Sequence, residues 1–274
     1  MAIDVKFWGV RGSIACPSPD HVIYGGNTSC VEMRVGDDVL IFDAGTGIRN
    51  LGKDLVRRNV THASIFLTHT HWDHINGFPF FVPAYNPNAC FRVMAGHLTH
   101  QGGVERVFSA QMANPTFPVP LSAMKSQLTF EDFNVGEELR PTKDVLIKTA
   151  PLRHPNGATA FRVEFGGNAV CYVTDTEHDP DKPDQTVLDF IRDADLVIYD
   201  CTYSDEEFPQ KIGWGHSTWQ EGIRLCQAAK AKRLAIFHHD PDHDDTAMAE
   251  IEKKAQDLWS GAFAARDEMV LHID

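Results

Sequence analysis

Apolar runs that flank a glycine-containing turn occur twice along the chain. The first pair covers residues 30–45 around the turn sequence GDD, and the second covers residues 161–175 around GGN. β-Rich runs on both sides of such a turn are typical of β-hairpins. Each pair ends on an aspartate, Asp43 in the first and Asp175 in the second. We therefore predict two hairpins at corresponding places in two related halves of the chain.

Each predicted hairpin is followed by a helical segment and then by a short apolar run. These runs are residues 63–68 (ASIFLT) and 195–199 (DLVIY), and both are typical of buried strands. Further strands are predicted at the N-terminus (MAIDVKFWGV), at residues 145–150 and at residues 233–237. The pattern is that of an α/β protein with two βα-rich halves.

Two helices are predicted in the second half. Ser217 and Gln220 match a capping box, which would open a helix that reaches about Ala231. The last helix is predicted over residues 245–259, where apolar residues recur at helical spacing.

Residues 96–141, between the two halves, are predicted to be irregular. The segment contains Pro115, Pro118 and Pro120, and prolines interrupt regular helices and strands. It is either a substrate-facing insertion or a plain surface connection, and the pattern does not separate the two.

Composition limits the class of protein. The 274 residues, 43% of them hydrophobic, suit one large globular domain or two small ones. No apolar run approaches the roughly 20 residues of a membrane-spanning helix, and the N-terminus does not have the pattern of a signal peptide. The six cysteines are scattered without CxxC pairs, which favours reduced thiols in a reducing cytosol. We expect a cytoplasmic protein with no membrane contact.

The balance of charges bears on the substrate. Lys and Arg number 25 against 38 Asp and Glu, a formal net charge of -13. An acidic surface repels the phosphate backbone of a long nucleic acid. Small or locally held substrates are therefore favoured over long polyanions.

The strongest chemical pattern is THTHWDH, which overlaps the end of the predicted strand at residues 63–68. Side chains two residues apart point the same way on an extended backbone, so His69 and His71 can chelate one ion. Asp73 and His74 follow at once, and a turn there would direct them at a second ion, as in two-metal sites. The alternative is a histidine-rich loop without a metal.

This HxHxDH pattern resembles the signature of hydrolases with the metallo-β-lactamase fold. The resemblance implies an α/β protein with a four-layer αββα sandwich, in which helices flank two mixed β-sheets. It implies one domain over residues 1–274, with an insertion at about 96–141. A homodimer is expected from the resemblance alone.

The resemblance also implies a set of metal ligands at later strand ends. By similarity, one metal is held by His69, His71 and His154, the second by Asp73, His74 and His238, and Asp175 bridges both. Such nitrogen and oxygen ligands suit two divalent ions, Zn²⁺ first, with Mn²⁺ or Fe as alternatives. Register with the strand end of the family favours His238 over the adjacent His239, which stays open as the last ligand.

His216 limits the class of reaction that the proposed metals would catalyse. Two metals would lower the pKa of a bridging water toward ~7 and so supply hydroxide at neutral pH, which cleaves many kinds of bond. In GWGHST, His216 directly precedes a predicted helix N-terminus, where free N–H groups suit an anion and an imidazole can protonate a departing alkoxide. The motif resembles the HST motif of the ribonuclease Z and phosphodiesterase branch. It implies that His216, Ser217 and Thr218 bind substrate, and that Asp73 and His216 are catalytic.

The sequence thus predicts a dinuclear metal-dependent hydrolase, a phosphodiesterase for a small or cyclic phosphodiester, with His216 as general acid or phosphate-binding group. One alternative is a tRNA 3′-processing endonuclease or another nuclease. Ribonuclease Z enzymes grip tRNA with a long basic arm, however, and residues 96–141 contain few Lys or Arg. Another alternative is a non-phosphate hydrolase, such as a lactonase, thioesterase or β-lactamase. Di-iron redox chemistry and a non-catalytic metal-binding module are weaker candidates.

Three further features carry expectations. Asp43 is expected to anchor loops beneath the metals, unless it only forms a turn. Trp72 and Trp214 flank the proposed site and would suit stacking on a nucleobase, unless they are core or rim aromatics. His178, His243 and the acidic run at residues 240–245 are interpreted as structural, the run being an acidic turn before a helix rather than another metal site.

Overall fold

Two seven-stranded β-sheets form the centre of the protein. The computed structural model describes residues 2–274, so Met1, the first residue of the predicted N-terminal strand, lies outside the described residues. The first sheet contains β1 (Ile3–Gly9), β2 (Cys30–Val35), β3 (Asp38–Phe42), β4 (His62–Leu67), β5 (Cys90–Ala95), β6 (Gln127–Asp132) and β14 (Val270–Ile273). The second contains β7 (Glu138–Leu139), β8 (Leu146–Leu152), β9 (Ala158–Phe165), β10 (Asn168–Val173), β11 (Leu196–Asp200), β12 (Leu234–Phe237) and β13 (Ala262–Ala264).

The two sheets repeat one pairing scheme. In the order β14-β1-β2-β3-β4-β5-β6, pairs are antiparallel up to β3 and parallel beyond it. In the order β13-β12-β11-β10-β9-β8-β7, pairs are parallel up to β10 and antiparallel beyond it. The predicted hairpins are confirmed as β2–β3 and β9–β10. Their second strands, β3 and β10, are the strands at which each sheet changes direction, and ligands bind near such switch points in α/β proteins.

Helices cover the outer face of each sheet. They are α1 (Ile48–Arg57), α3 (Val104–Gln111), α4 (Gln185–Phe190), α5 (Trp219–Ala228) and α6 (Asp245–Leu258), while the four-residue helix α2 (Trp72–Ile75) follows the end of β4. Short 3-10 turns lie at Pro19–His21, Phe78–Phe80, Val82–Tyr85, Leu121–Ala123 and Phe208–Gln210.

Three apolar layers hold the elements together. Between the sheets, Phe42 of β3 packs on Phe161 of β9 with ring centroids 5.4 Å apart. A second layer joins the first sheet to α1 and α3, and a third joins the second sheet to α4, α5 and α6. The order is helix, sheet, sheet, helix, which confirms the predicted four-layer sandwich.

The predicted helices and strands of the second half are confirmed, with shifts of one to three residues at helix ends. α5 begins at Trp219 and its N-cap is Thr218, whose Oγ1 accepts a hydrogen bond from Glu221 N at 3.0 Å. The capping box therefore lies one residue later than the prediction from Ser217, and α5 ends at Ala228 rather than near Ala231. α6 matches its predicted range to within one residue, and Asp244 caps it.

Residues 96–141 are more regular than predicted. They contain α3, β6 and β7, and β6 pairs in parallel with β5 at the edge of the first sheet. Pro115, Pro118 and Pro120 all lie between α3 and β6, so they interrupt neither element. The expectation of an irregular segment was wrong for this reason, whereas its role as an insertion stays a prediction.

Two further features concern the helices and the cysteines. Within residues 2–274, no helix has the length and apolar character needed to cross a membrane. All six cysteines are unpaired.

Candidate metal centre

A cluster of histidine and aspartate side chains lies where the carboxyl ends of strands from both sheets meet. His69 and His71 follow β4, and α2 comes directly after them. The residues that follow β8, β10 and β12 reach the same place from the second sheet. The structure thus brings together all seven predicted ligands, which are His69, His71, Asp73, His74, His154, Asp175 and His238.

The cluster has two parts. Potential ligand atoms of His69, His71 and His154 lie within 4.8 Å of one another, and so do those of Asp73, His74, Asp175 and His238. These two parts are the two sets that the resemblance implied, with Asp175 in the second.

Asp175 faces both parts of the cluster. Its Oδ1 lies 3.2 Å from His74 Nε2 and 3.3 Å from His238 Nε2. Its Oδ2 lies 3.6 Å from His69 Nε2 and 3.7 Å from His154 Nε2. A carboxylate with one oxygen towards each set has the geometry of a bridging ligand.

Three residues at strand ends adopt the left-handed backbone conformation. The φ angles are 61° at Asp43, 63° at Asp175 and 61° at His238. This region is uncommon for residues other than glycine and costs of order 1–3 kcal/mol where it is strained. Each of these residues follows a buried strand, and the sharp turn aims its side chain into or beneath the cluster.

In most of the imidazole rings, the nitrogen that points away from the cluster, Nδ1, is within hydrogen-bond distance of a partner that fixes the orientation of the ring. The Nδ1 atoms of His69, His74, His154 and His238 lie 2.8–3.1 Å from Thr68 Oγ1, Asp43 Oδ2, Gly215 O and Thr202 Oγ1, respectively. Because Nδ1 is engaged, Nε2 is the nitrogen that faces the cluster, an arrangement that orients metal-binding histidines. His71 is reversed: its Nδ1 lies 3.0 Å from His154 Nε2.

Backbone segments that pass close to the ligand side chains also position the cluster. Ser13 N donates to Asp73 Oδ2 at 2.7 Å. A side chain on Gly12 would place its Cβ 2.4 Å from the His238 ring, and one on Gly215 would place it 2.5 Å from His154 Nδ1. The glycine-rich loop after β1 and the loop before His216 are therefore shaped to admit two of the rings.

The electrostatics favour neutral imidazoles and ionised carboxylates at most positions. Burial lowers the pKa of His69, His71 and His154, and for His69 the neighbouring His74 lowers it further. Burial alone would raise the pKa of Asp175, but the histidines around it hold it well below the usual range. Neutral imidazole and ionised carboxylate are the forms that bind metal ions.

His74 lies where a positive charge is stabilised most. Burial acts to lower its pKa, yet Asp175, Asp73 and Asp43 together raise it well above the usual value. Three carboxylates around one buried ring create a strongly negative location. A proton or a metal ion would each relieve this charge.

The residues present fit two divalent cations. His69 Nε2 is buried and has no hydrogen-bond partner among residues 2–274. A buried polar atom without a partner is costly unless some other group satisfies it. The imidazole and carboxylate donors around this atom are those that zinc, manganese and iron accept.

Asp200 is a site residue that the sequence reasoning missed. It ends β11, is fully buried, and its Oδ2 lies 2.9 Å from His216 Nδ1. Burial acts against the charged form of both residues, but each is stabilised in that form by the opposite charge of the other. The pKa of Asp200 is therefore lowered, and the pKa of His216 is raised to about 9. The available signal was an aspartate at the end of a buried strand, the pattern already noticed at Asp43 and Asp175.

His216 lies at the edge of the cluster, as predicted. Its ring stacks on that of His238 with centroids 4.8 Å apart and lies 5.3 Å from that of His154. Because Asp200 engages Nδ1, the nitrogen left for a substrate is Nε2.

The side-chain hydroxyls of Ser217 and Thr218 do not face the cluster. Ser217 Oγ lies 2.8 Å from His178 Nδ1 and 3.0 Å from Tyr199 OH. Thr218 Oγ1 donates to Asp205 Oδ1 at 2.7 Å and caps α5. Both side chains are buried and their hydroxyls have partners within the fold, while substrate binding by these two residues stays a prediction.

His239 and Asp43 also have clear positions. His239 Nε2 lies 2.8 Å from Ala265 O, which directs that ring away from the cluster, whereas the neighbouring His238 faces it. Asp43 is buried and contacts Thr68, His74 and Tyr172, so it anchors the loops beneath the cluster as expected.

His178 and residues 240–245 form no metal cluster in the part of the chain that the structure describes. His178 stacks on Phe208 with centroids 4.1 Å apart, and His243 Nε2 lies 2.9 Å from Glu207 Oε1. Asp244 caps α6. The interpretation of this run as an acidic turn before a helix is confirmed.

Comparisons with known proteins agree with this geometry. The family model described as beta-lactamase superfamily domain matches residues 39–239. Ribonuclease Z of Haloarcula marismortui is 22% identical over 320 residues, an alignment that covers 100% of this chain and 98% of that protein.

Solved structures show the same fold. The metallo-beta-lactamase fold protein YhfI from Bacillus subtilis is similar with a TM-score of 0.74 and 18% identity, over 99% of each chain. A diphosphatase from the PhnP family is similar with a TM-score of 0.71 and 17% identity, over 100% of this chain and 98% of that one. The match over residues 39–239 shows that the chain belongs to the beta-lactamase superfamily, and its fold is that of the metallo-β-lactamase hydrolases.

Proposed function

We propose that this chain is a dinuclear metal-dependent phosphodiesterase that acts on a small or cyclic phosphodiester. The observation that carries the proposal is the pair formed by His216 and Asp200 beside the metal cluster, with Nδ1 and Oδ2 2.9 Å apart. Asp200 fixes the orientation of the ring and leaves Nε2 for a phosphate oxygen or for a departing alkoxide. A thioester releases a thiolate, which departs without a proton, so its hydrolysis would not need this group.

The proposed ligand sets are those that the sequence predicted. His69, His71 and His154 would hold one ion, Asp73, His74 and His238 would hold the other, and Asp175 faces both sets. Two divalent ions bound there would supply a Lewis acid and activate water. Zn²⁺ is proposed from the donor set, with Mn²⁺ or Fe as alternatives.

Asp73 has a second role in this proposal. Ser13 N donates to its Oδ2 at 2.7 Å, and the same oxygen lies 3.3 Å from His238 Nε2. The backbone of the loop after β1 therefore fixes the carboxylate in one orientation. Asp73 is proposed to hold both its ion and the attacking water in place, which makes it catalytic as well as a ligand.

The size of the substrate separates the two phosphate-based candidates. The net charge of -13 disfavours a long polyanion. A tRNA 3′-processing endonuclease is the second candidate, supported by the full-length similarity to a protein named Ribonuclease Z.

A substrate panel tests the proposal. Protein loaded with Zn²⁺ or Mn²⁺ is assayed on bis(p-nitrophenyl) phosphate, cyclic nucleotides, dinucleotides and a precursor tRNA with a 3′ trailer, with metal content measured on the same preparation. A thioester and a lactone complete the panel. Cleavage of the small phosphodiesters is expected. Cleavage of the thioester or lactone with the phosphodiesters intact would overturn the proposal, and cleavage of precursor tRNA alone would favour the second candidate.

The role of His216 is tested by comparing kcat on substrates whose leaving groups differ in their need for a proton. A general acid contributes about 10²–10⁴-fold where the leaving group needs a proton. His216→Ala is therefore expected to reduce kcat strongly for alkyl phosphodiesters and much less for p-nitrophenyl esters, with Asp200→Asn between wild type and His216→Ala.

The matched control is His243→Gln. His243 is another histidine paired with a carboxylate, at 2.9 Å from Glu207, and it lies outside the cluster. This variant should keep the wild-type dependence on the leaving group. Equal losses in His216→Ala for both kinds of ester would contradict the general-acid role and leave phosphate binding as the function of His216.

A further inference from the structure

A groove with a mainly apolar lining begins at the loop that carries the proposed ligands. Its volume is about 1020 Å³, and Thr70 and Trp72 line its inner wall. These two residues alternate along the chain with His69, His71 and Asp73, which belong to the cluster. The groove therefore borders the loop that carries the proposed ligands, although none of the seven ligands lines it.

Aromatic rings form much of this groove. Trp72 is 84% exposed. Phe80 and Phe117 also line the groove and contact each other edge to face, with centroids 5.8 Å apart and an interplanar angle of 90°. Phe117 follows α3 in the segment 96–141, so part of this segment faces the groove. A large indole left open to solvent beside an active site suggests a planar ligand.

The charge of the groove differs from that of the whole protein. Among the described residues that line it, only Arg106 carries a formal charge. Arg106 Nη1 donates to Gln101 O at 3.2 Å, and its side chain is exposed. In a protein with a net charge of -13, this groove offers a guanidinium and no carboxylate among those residues.

We propose that the groove binds the nucleobase of a nucleotide phosphodiester, with the base stacked on Trp72 and the phosphate at the cluster. This inference rests on the proposed function and deepens it. Nucleobases stack on exposed aromatic side chains, and arginine donates hydrogen bonds to, or stacks on, their acceptor-rich rings. An acyl chain would use the apolar walls but not Arg106. The volume is close to the upper end of the roughly 300–1000 Å³ of small-ligand pockets, so the groove is large enough to admit a nucleoside.

The kinetic test compares two esters with one leaving group. Thymidine 5′-(p-nitrophenyl) phosphate carries a base, and methyl p-nitrophenyl phosphate does not. In wild type, kcat/KM should be higher for the thymidine ester, through a lower KM. Trp72→Ala should reduce this preference by between about 5- and 150-fold, the range that corresponds to losing one stacked base. Because Trp72 is exposed, the variant should fold normally.

The matched control is Trp214→Ala. Trp214 is 59% exposed and lies outside the groove, with Lys211 Nζ 4.4 Å from its ring centroid. This variant should keep the preference for the thymidine ester. Loss of the preference in Trp214→Ala and not in Trp72→Ala would overturn the assignment of the base to this groove.

A binding measurement separates failure of this inference from failure of the proposed function. Calorimetry compares adenosine 5′-monophosphate with ribose 5-phosphate, which differ only in the base. Tighter binding of the adenosine compound, lost in Trp72→Ala, supports the groove even if no phosphodiester is cleaved. Equal affinity for the two ligands, or a preference unaffected by Trp72→Ala, overturns the inference. Cleavage of the methyl ester in that case leaves the phosphodiesterase proposal intact.

Discussion

Asp43 and Asp175 contact opposite nitrogens of the same imidazole. Asp43 Oδ2 lies 2.8 Å from His74 Nδ1, and Asp175 Oδ1 lies 3.2 Å from His74 Nε2. The two aspartates follow β3 and β10, the second strands of the two hairpins, with φ angles of 61° and 63°. Equivalent positions in the two halves thus have different tasks: one carboxylate orients a ring, and the other enters the cluster.

Replacing Asp43 should weaken metal binding without removing a proposed ligand. Asp43→Asn loses the acceptor that orients His74, so the affinity for Zn²⁺ should fall by about 10–100-fold, as is common for such partners. Tyr172→Phe is the control, because it removes the 2.9 Å hydrogen bond to the same Oδ2 but keeps the contact with His74. Titration against a competing chelator measures both. Equal losses in the two variants would show that Asp43 acts through packing and not through His74.

A methyl group on Gly12 should displace His238. The Cβ would lie 2.4 Å from the ring, closer than any tolerated contact, so Gly12→Ala should lower zinc content and activity. Gly36→Asn is the control: Gly36 has a φ of 62°, which asparagine tolerates, and nothing lies within 4 Å of a Cβ there. Full metal occupancy in Gly12→Ala would place His238 outside the metal site.

The sequence predicted the cluster well because its chemistry is tied to strand ends. Apolar runs mark buried strands, and a histidine or aspartate directly after such a run lies at the edge of the sheet where the strand ends. His154, Asp175 and His238 each lie just past such a run, and the resemblance to the family singled them out among the residues that do. Asp200 also ends a buried strand, but the resemblance did not point to it, and its importance lies in its contact with His216, 16 residues away in the sequence.

The capping box shows what a local pattern cannot decide. Ser217 with Gln220 and Thr218 with Glu221 both fit the motif. Tertiary contacts decide which pair caps the helix, because the Ser217 hydroxyl lies within hydrogen-bond distance of His178 and Tyr199. The same limit applies to residues 96–141, where prolines in one connection concealed a helix and a sheet strand.

Bound metal should stabilise the fold. Removal of metal leaves buried carboxylates around His74 and an unsatisfied His69 Nε2 within the described residues, so chelation should lower Tm. A site filled at 100 times its Kd adds about 2.7 kcal/mol to the free energy of unfolding. His71→Ala and Asp73→Ala should abolish turnover and reduce the rise in Tm on adding Zn²⁺.

The control for this prediction is His62→Ala. His62 is exposed at the start of β4, away from the cluster. The variant should keep both turnover and the zinc-dependent rise in Tm, which scanning fluorimetry measures. Turnover retained by His71→Ala or Asp73→Ala would contradict the ligand assignment.

Asp267 should make stability depend on pH. Its Oδ2 accepts hydrogen bonds from Asn27, and its Oδ1 is buried without a partner among the described residues. Burial raises its pKa to about 6. The folded pKa exceeds the unfolded value of about 3.9, so the stabilisation from the protonated carboxyl is fully present below about pH 4. It is lost as the pH rises through 6.

Asp267→Asn removes this dependence, since an amide does not ionise. Relative to wild type, the variant should gain about 1–3 kcal/mol in the free energy of unfolding between pH 4.5 and 7.5, as a pKa shift of about two units implies. Urea unfolding with chelator present at both pH values measures the change without a contribution from metal. Asp245→Asn is the control: three backbone N–H groups lower the pKa of Asp245 against the effect of burial, so the stabilisation that it gives is lost only below about pH 4. Its difference from wild type should therefore stay nearly constant between pH 4.5 and 7.5. An unchanged difference between wild type and Asp267→Asn across this range would mean that Asp267 stays ionised in the folded protein.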